Sequence, residues 1–170
     1  MTVRDFMLSQ GQVSEGWQIL IVQQVVEGLQ RLQVAYVMHR DLKAANMLMA
    51  PCSSTPGMLQ VKLADFGTAI LVQKPDDGKD QQQHLCLQAK RNYTTYTVAP
   101  PEVLQQWLYT FGTDSWAVGV LYLELCLGKQ WLKLPEQERE MSVQEYEKQV
   151  FAIAKQALHD LPQLLLTLPG

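Results

Sequence analysis

The sequence has few cysteines, and their spacing is not that of a metal site. Cys52, Cys86 and Cys126 are the three present, and no Cys-x-x-Cys pair occurs among them. An odd number of widely separated cysteines disfavours both a zinc site and a disulfide framework. We therefore expect reduced thiols and a cytoplasmic or nuclear location.

The sequence also lacks a long apolar run and a concentration of charge. Its most apolar stretch, residues 116–127, includes Glu124 and is shorter than the roughly 20 residues that span a bilayer. The N-terminal residues include Asp5 and no apolar segment, which argues against a signal peptide. The net charge is −3 and the basic residues are scattered, so we expect neither a nucleic-acid partner nor a membrane partner.

The sequence does contain enough apolar residues for one folded domain. Of its 170 residues, 47% are hydrophobic, a proportion typical of globular proteins. Ser14 can cap a helix that continues to about Gln33. Apolar residues recur along this helix at steps of three and four and should place it well inside a core: Trp17, Ile21, Val22, Val25, Val26, Leu29 and Leu32.

Short β patterns and polar connections follow this helix. The β patterns occur at residues 37–39, 47–49 and 61–63, and the composition of residues 51–57 predicts a turn between the last two. Residues 73–92 are polar and aperiodic, which predicts an exposed loop.

Two further helices are predicted in the C-terminal half. Asp114 begins an apolar helix that reaches Leu127, with Gly128 as the residue that ends it. Ser142 and Glu145 fit a capping box that opens an amphipathic helix to about residue 159. The tail that follows is rich in leucine, and we expect it to pack against another surface.

Candidate catalytic residues are concentrated in one short loop and one position beyond it. The carboxylate of Asp41, the ammonium of Lys43 and the amide of Asn46 lie within six residues, and Asp65 follows a predicted hairpin that could bring it back to face them. Asn46 and Asp65 supply oxygen ligands suited to Mg²⁺. Lys43 can neutralise a transferring phosphoryl group, and Asp41 can accept a hydroxyl proton.

These motifs resemble, in order and spacing, those of eukaryotic-type serine/threonine protein kinases. Residues 39–48 (HRDLKAANML) resemble the catalytic loop, and residues 63–67 (LADFG) resemble the metal-binding motif. Residues 98–102 (VAPPE) are similar to the end of an activation segment, and residues 114–119 (DSWAVG) to the start of the central buried helix. Lys43 resembles the serine/threonine pattern rather than the tyrosine-kinase pattern.

The resemblance implies a role for each residue of this site. Asp41 is the catalytic base or orients the hydroxyl, and Lys43 contacts the γ-phosphate. Asn46 and Asp65 hold Mg²⁺, and Leu48 lies under the adenine ring, so ATP and Mg²⁺ are the implied cofactors. Whether the methionines on either side of Leu48 pack beneath that ring or simply fill the core is left open.

The resemblance also assigns supporting positions. His39 and Phe66 are implied to stack in an internal hydrophobic spine, and Asp114 to hydrogen-bond the backbone of the catalytic loop. For Glu124 two interpretations are open: contact with basic side chains of a substrate, or a satisfied buried acid.

Arg40 implies control by a phosphorylated activation loop, because a guanidinium group captures phosphate well. Three threonines are candidate phosphosites near it: Thr94, Thr95 and Thr97. Thr95 could instead hydrogen-bond Asp41, which would leave Thr94 as the better phosphosite.

The resemblance extends from Val3 to the helix predicted at residues 142–159 and implies a partial protein kinase domain over residues 1–170. The implied fold is mainly α with small β-hairpins, the large C-terminal lobe alone, with a catalytic loop at 39–48 and an activation segment at 65–102. No G-x-G-x-x-G loop and no strand lysine of the V-A-I-K type occurs within the sequence. We therefore expect a chain truncated at both ends, with weak or no activity by itself.

The expected function is ATP- and Mg²⁺-dependent phosphorylation of serine or threonine in protein substrates, with an upstream activating kinase as a possible further partner. The alternative is a non-catalytic, kinase-like module that binds partners. The intact set of Asp41, Lys43, Asn46 and Asp65 argues against that alternative.

Overall fold

The computed structural model describes residues 1–52, 58–73 and 86–128, together with Glu145 and Lys148. Helices make up most of this part of the chain, and its strands pair into three two-stranded antiparallel sheets. The expectation of a mainly α-helical fold with small sheets is therefore confirmed for these residues. Two of the three described pairs join consecutive strands, and in one of these two a helix lies between the strands.

Two helices begin the chain. Helix α1 (Val3–Gln10) starts at a capping box in which Thr2 and Asp5 bond each other's backbone N–H groups. Helix α2 (Glu15–Val34) starts after Ser14, as predicted, although the Ser14 side chain makes no capping hydrogen bond.

Helix α2 is less buried than its apolar pattern predicts. It packs on one side against the strand Leu59–Leu63 and the helix Phe111–Leu127. Ile21 and Val25 are therefore buried, while Trp17 and Leu29 are half-buried. Val26 is 38% exposed, and its expected place in the buried stripe is wrong. A single-sided contact covers a narrower arc of the helix than the full set of apolar residues spans.

The next hairpin connects the loop that contains Asn46 with the loop that contains Asp65. Strand β2 (Met47–Pro51) pairs with strand β3 (Leu59–Leu63), close to the β patterns in the sequence. Strand β1 (Val37–Met38) pairs instead with β4 (Ile70–Leu71). Part of the turn predicted at 51–57 lies outside the described residues.

Both outer edges of this hairpin are occupied. On the β2 side, the Met49 N–H donates to the Met1 carbonyl at 2.8 Å. On the β3 side, the Val61 N–H donates to Gln24 Oε1 at 2.8 Å, and Gln24 Nε2 donates to the Leu59 carbonyl at 3.3 Å. The Gln24 amide, which comes from α2, thus occupies the place of a neighbouring strand.

The predicted loop at 73–92 contains a strand. Strand β5 (Leu87–Gln88) pairs with β6 (Leu108–Tyr109), so the prediction is wrong at these positions. Residues 74–85 lie outside the described part. A pairing of two residues leaves no periodic signal in the sequence, and its partner strand lies some twenty residues later.

Helix α3 (Pro101–Gln106) precedes β6, and helix α4 (Phe111–Leu127) follows it. Helix α4 begins three residues before Asp114, because a capping box formed by Thr110 and Thr113 starts it. The helix ends at Gly128 as predicted, in left-handed conformation with φ +64.

Gly128 lies directly against the loop after α1. A Cβ atom added to Gly128 would lie 2.1 Å from the Gly11 carbonyl oxygen, so both the conformation and the close approach require glycine. The helix predicted at 142–159 and the apolar tail lie almost wholly outside the described residues. Within that range, Glu145 and Lys148 are described and are helical.

Candidate active site

The β2–β3 hairpin brings Asp65 back to the loop that contains Asn46. Just beyond the paired strands, the Ala64 N–H donates to the Asn46 carbonyl at 2.9 Å. Asp65 is exposed and has left-handed backbone conformation with φ +61, and its Oδ1 accepts the Gly67 N–H at 3.3 Å. A left-handed conformation outside glycine is uncommon and is often found at functional sites.

Asp41 is the centre of a short polar network. Lys43 Nζ donates to Asp41 Oδ2 at 2.8 Å and to Thr95 Oγ1 at 2.8 Å. The Thr95 hydroxyl donates to Asp41 Oδ1 at 2.7 Å, and the Thr95 N–H donates to the same oxygen at 2.8 Å. The alternative that Thr95 hydrogen-bonds Asp41 is therefore confirmed. These bonds fix both oxygens of the carboxylate.

Asn46 is the residue that links this network to Asp65. It is buried, and its Nδ2 donates to the Asp41 carbonyl at 2.9 Å and to Asp41 Oδ2 at 3.3 Å. Since the amide nitrogen is directed at Asp41, the amide oxygen is the atom suited to a cation. One amide oxygen and one carboxylate fit Mg²⁺, which takes its other ligands from water and phosphate.

Asp114 supports the catalytic loop from α4. Its two carboxylate oxygens accept the N–H groups of His39 at 2.8 Å and Arg40 at 2.9 Å, as the resemblance implied. Burial raises the pKa of the Asp114 carboxyl, and the two backbone hydrogen bonds oppose that rise. The buried carboxylate holds in place the backbone that immediately precedes Asp41.

His39 is fully buried and its tautomer follows from its neighbours. Nε2 lies 2.9 Å from the Ala64 carbonyl, which can only accept, so Nε2 carries the hydrogen. Nδ1 accepts the Asp41 N–H at 3.4 Å. The ring centres of His39 and Phe66 are 4.9 Å apart, which confirms the predicted contact between them.

Leu48 presents its side chain on the outer face of β2. It is 45% exposed, whereas Met47 and Met49 are buried. This alternation is expected of a strand with one face on the core. For the methionines it confirms a place in the core and leaves open whether they also support a ligand.

The guanidinium of Arg40, which the resemblance assigned to phosphate capture, lies against two aromatic rings. Its guanidinium carbon lies 4.4 Å from the ring centre of Tyr93 and 5.4 Å from that of Tyr109, and its Nε donates to the Thr68 carbonyl. Burial lowers the pKa of Arg40, and the nearby Tyr109 and Tyr93 oppose that effect. Sequence reasoning missed both tyrosines, because no local pattern connects them to Arg40.

The candidate phosphosites are also poorly placed for modification. Thr94 is buried and its hydroxyl donates to the Arg40 carbonyl, while Thr97 is buried. Thr95 is bonded to Asp41. In this conformation Thr94 and Thr97 are buried and Thr95 is half-buried, and the phosphosite stays a prediction.

Glu124 is buried on α4. Of the two interpretations of this residue, the structure favours a buried acid over a contact with basic side chains of a substrate.

A loop that joins a carboxylate, a lysine and an amide, with a second acidic loop returned to it by a hairpin, is the arrangement expected of a protein kinase. The family model described as "Protein kinase domain" matches residues 2–164. The chain belongs to this family and is of the eukaryotic type. No helix in the described residues is both long and apolar enough to cross a membrane.

Several curated relatives are similar to this chain. Serine/threonine-protein kinase bur1 of Emericella nidulans is 41% identical over 112 residues, which cover 62% of this chain and 19% of the relative. Mitogen-activated protein kinase kinase 1c of Physcomitrium patens is 33% identical over 129 residues, which cover 75% and 32%. Serine/threonine-protein kinase PLK4 of Drosophila willistoni is 32% identical over 109 residues, which cover 64% and 12%. The chain thus spans about a third or less of each relative's length.

Proposed function

We propose that the chain carries the phosphoryl-transfer site of an ATP- and Mg²⁺-dependent serine/threonine protein kinase. The observation that carries the proposal is the network in which Lys43 and Thr95 fix the two oxygens of Asp41. A carboxylate held in this way can orient a substrate hydroxyl and accept its proton. The names of the relatives and the position of Lys43 support serine and threonine as acceptors.

In the proposed reaction, the oxygen of a substrate hydroxyl forms a bond to the γ-phosphorus of ATP. The bond between that phosphorus and the β–γ bridging oxygen breaks, and ADP leaves. The hydroxyl proton passes to Asp41, and Lys43 stabilises the charge that is transferred. Mg²⁺, when bound, neutralises phosphate charge, and Asn46 and Asp65 are the residues that would hold it.

The exposed side chain of Leu48 supports a role as the floor of the adenine site. We propose that residues 1–170 form the large lobe of the kinase domain, with the catalytic loop at 39–48 and the activation segment at 65–102. Protein substrates are the proposed partners, and a cytoplasmic or nuclear location is proposed from the reduced cysteines.

The proposal is tested by removing the two carboxylates in the full-length protein. Asp41→Asn and Asp65→Asn should each abolish transfer from labelled ATP to a serine/threonine peptide, with an unchanged melting temperature. Glu27→Gln, which removes an exposed carboxylate on α2, should transfer at the wild-type rate. Wild-type turnover in Asp41→Asn would contradict the proposal and favour the partner-binding module.

A further inference from the structure

Arg40 connects the catalytic loop to the stretch around Tyr93 through its backbone and its side chain. Its N–H donates to Asp114, and its carbonyl accepts the Thr94 hydroxyl. Its side chain is almost fully buried, since the residue is 8% exposed. Any displacement of the guanidinium would therefore be transmitted to the backbone beside Asp41.

Tyr109 holds the aromatic cluster around Arg40 in place. The residue is fully buried, and its hydroxyl donates to Asn92 Oδ1 at 3.1 Å. The same hydroxyl accepts the Tyr93 N–H at 2.7 Å. The two tyrosine rings meet edge to face with centres 6.4 Å apart, so Tyr109 determines where Tyr93 lies.

The aromatic faces meet the positive charge of Arg40. A desolvated guanidinium over an aromatic ring is attracted by the negative face of that ring. A phosphate captured by Arg40 would have to approach the same group, which already contacts two rings and the Thr68 carbonyl. The two rings therefore occupy the space beside the Arg40 guanidinium that a phosphate would need.

We propose that Tyr93 and Tyr109 are positioning residues that hold Arg40, and through it Asp41, in the arranged state without phosphate on residues 86–98. This inference rests on the proposed kinase function. It replaces the expectation that phosphorylation near Arg40 controls the site. The hydrogen bond from the Tyr93 N–H to the Tyr109 hydroxyl and the edge-to-face contact of the rings hold the two tyrosines together.

The first experiment distinguishes the contribution of the Tyr93 ring from that of the Tyr93 hydroxyl. Tyr93→Phe keeps the ring and should retain kcat, whereas Tyr93→Leu should lower kcat by about tenfold with little change in the KM for ATP. Tyr122→Leu, a matched change at an exposed position on α4, should behave as wild type. Equal kcat in Tyr93→Leu and Tyr122→Leu would overturn the proposal.

A second arm needs no substitution. The wild-type protein is treated with a broad-specificity phosphatase, and loss of phosphate from residues 86–98 is verified by mass spectrometry. We expect kcat to stay within about twofold of the untreated value. A large loss of kcat on dephosphorylation would show that a phosphate, not the tyrosine pair, positions Arg40.

A third arm does not depend on catalysis. Hydrogen exchange at the Thr95 amide, which is bonded to Asp41, should speed up by about tenfold in Tyr93→Leu and not in Tyr93→Phe. If phosphoryl transfer by the wild type does not exceed that of Asp41→Asn, the proposed function fails. The exchange result still tests the tyrosine pair in that case. Unchanged exchange in Tyr93→Leu would overturn the positioning role.

Discussion

At the scale of single residues, Thr95 hydrogen-bonds both charged side chains of the network, Asp41 and Lys43. Its hydroxyl donates to Asp41 and accepts from Lys43, and its N–H donates to Asp41 as well. One residue thus orders the proposed base and the proposed phosphate-binding cation relative to each other. Because both bonds of the hydroxyl are to charged groups, each is stronger than a bond between neutral groups.

Thr95→Val should lower kcat on the order of ten- to a hundredfold, because it removes the hydroxyl while preserving side-chain shape. Thr95→Ser keeps the hydroxyl and should retain most of the activity. Steady-state kinetics of the two variants in the full-length protein measures this difference. Similar kcat values for valine and serine would show that the hydroxyl is not needed.

The sequence predicted the proximity of the candidate site residues that follow one another in a motif. Asp41, Lys43 and Asn46 lie within six residues, and Lys43 and Asn46 both hydrogen-bond Asp41. The surroundings of Arg40 were not predictable in this way, because Tyr109 lies far along the chain from Arg40 and contacts it through the tertiary fold. A role that depends on tertiary contact leaves no local pattern.

At the scale of secondary-structure elements, boundaries were harder to predict than the elements themselves. Asp114 was expected to begin α4, since aspartate is a common first residue of a helix. It lies inside the first turn instead, where it is buried and accepts N–H groups from another segment, while Thr110 caps the helix. The same side chain suits either role, and only the packing decides between them.

The end of α4 offers a test of one such boundary. Gly128→Ala should destabilise the protein by more than about 2 kcal/mol, because it combines a left-handed backbone with a Cβ that collides with Gly11. Gly119→Ala, in the middle of the same helix with nothing within 4 Å of the added Cβ, should be neutral or stabilising.

Denaturant unfolding of the two glycine variants measures the difference. Gly11→Ala provides a further comparison, since Gly11 has φ +67 and open space around the added Cβ. It should cost backbone strain without a collision, on the order of 1–3 kcal/mol, because its ψ of −87 lies outside the left-handed helical region of Gly128. A Gly128→Ala variant as stable as the wild type would show that the close approach carries no energy.

At the scale of the whole molecule, the proposed nucleotide floor is exposed within the described part of the chain. Leu48 is 45% exposed and Phe66 is 46% exposed, and none of the glycine-rich sequence that covers ATP in kinases occurs within the 170 residues. An adenine ring on Leu48 would be buried on one face. In the described residues, Lys43 is the lysine that contacts Asp41.

The 170 residues purified alone should therefore bind ATP weakly and transfer phosphate at a rate roughly 10³-fold or more below that of a kinase with a complete cationic clamp on the nucleotide. A radiolabelled-phosphate assay that compares the 170-residue chain with its Asp41→Asn variant measures this. Robust transfer that is lost in the variant would show that these residues suffice for catalysis.

The Gln24 amide that closes the outer edge of β3 has a consequence for self-association. An uncovered strand edge is a template for strands from other molecules and is a common origin of aggregation. Gln24→Leu would leave the Val61 N–H and the Leu59 carbonyl without this partner, so we expect concentration-dependent association, detected by light scattering. Gln23→Leu adds the same apolar side chain at an exposed position on α2 and should stay monodisperse, and equal scattering from both variants would contradict the idea. A single side chain on a helix would then keep this small hairpin from joining the sheets of its neighbours.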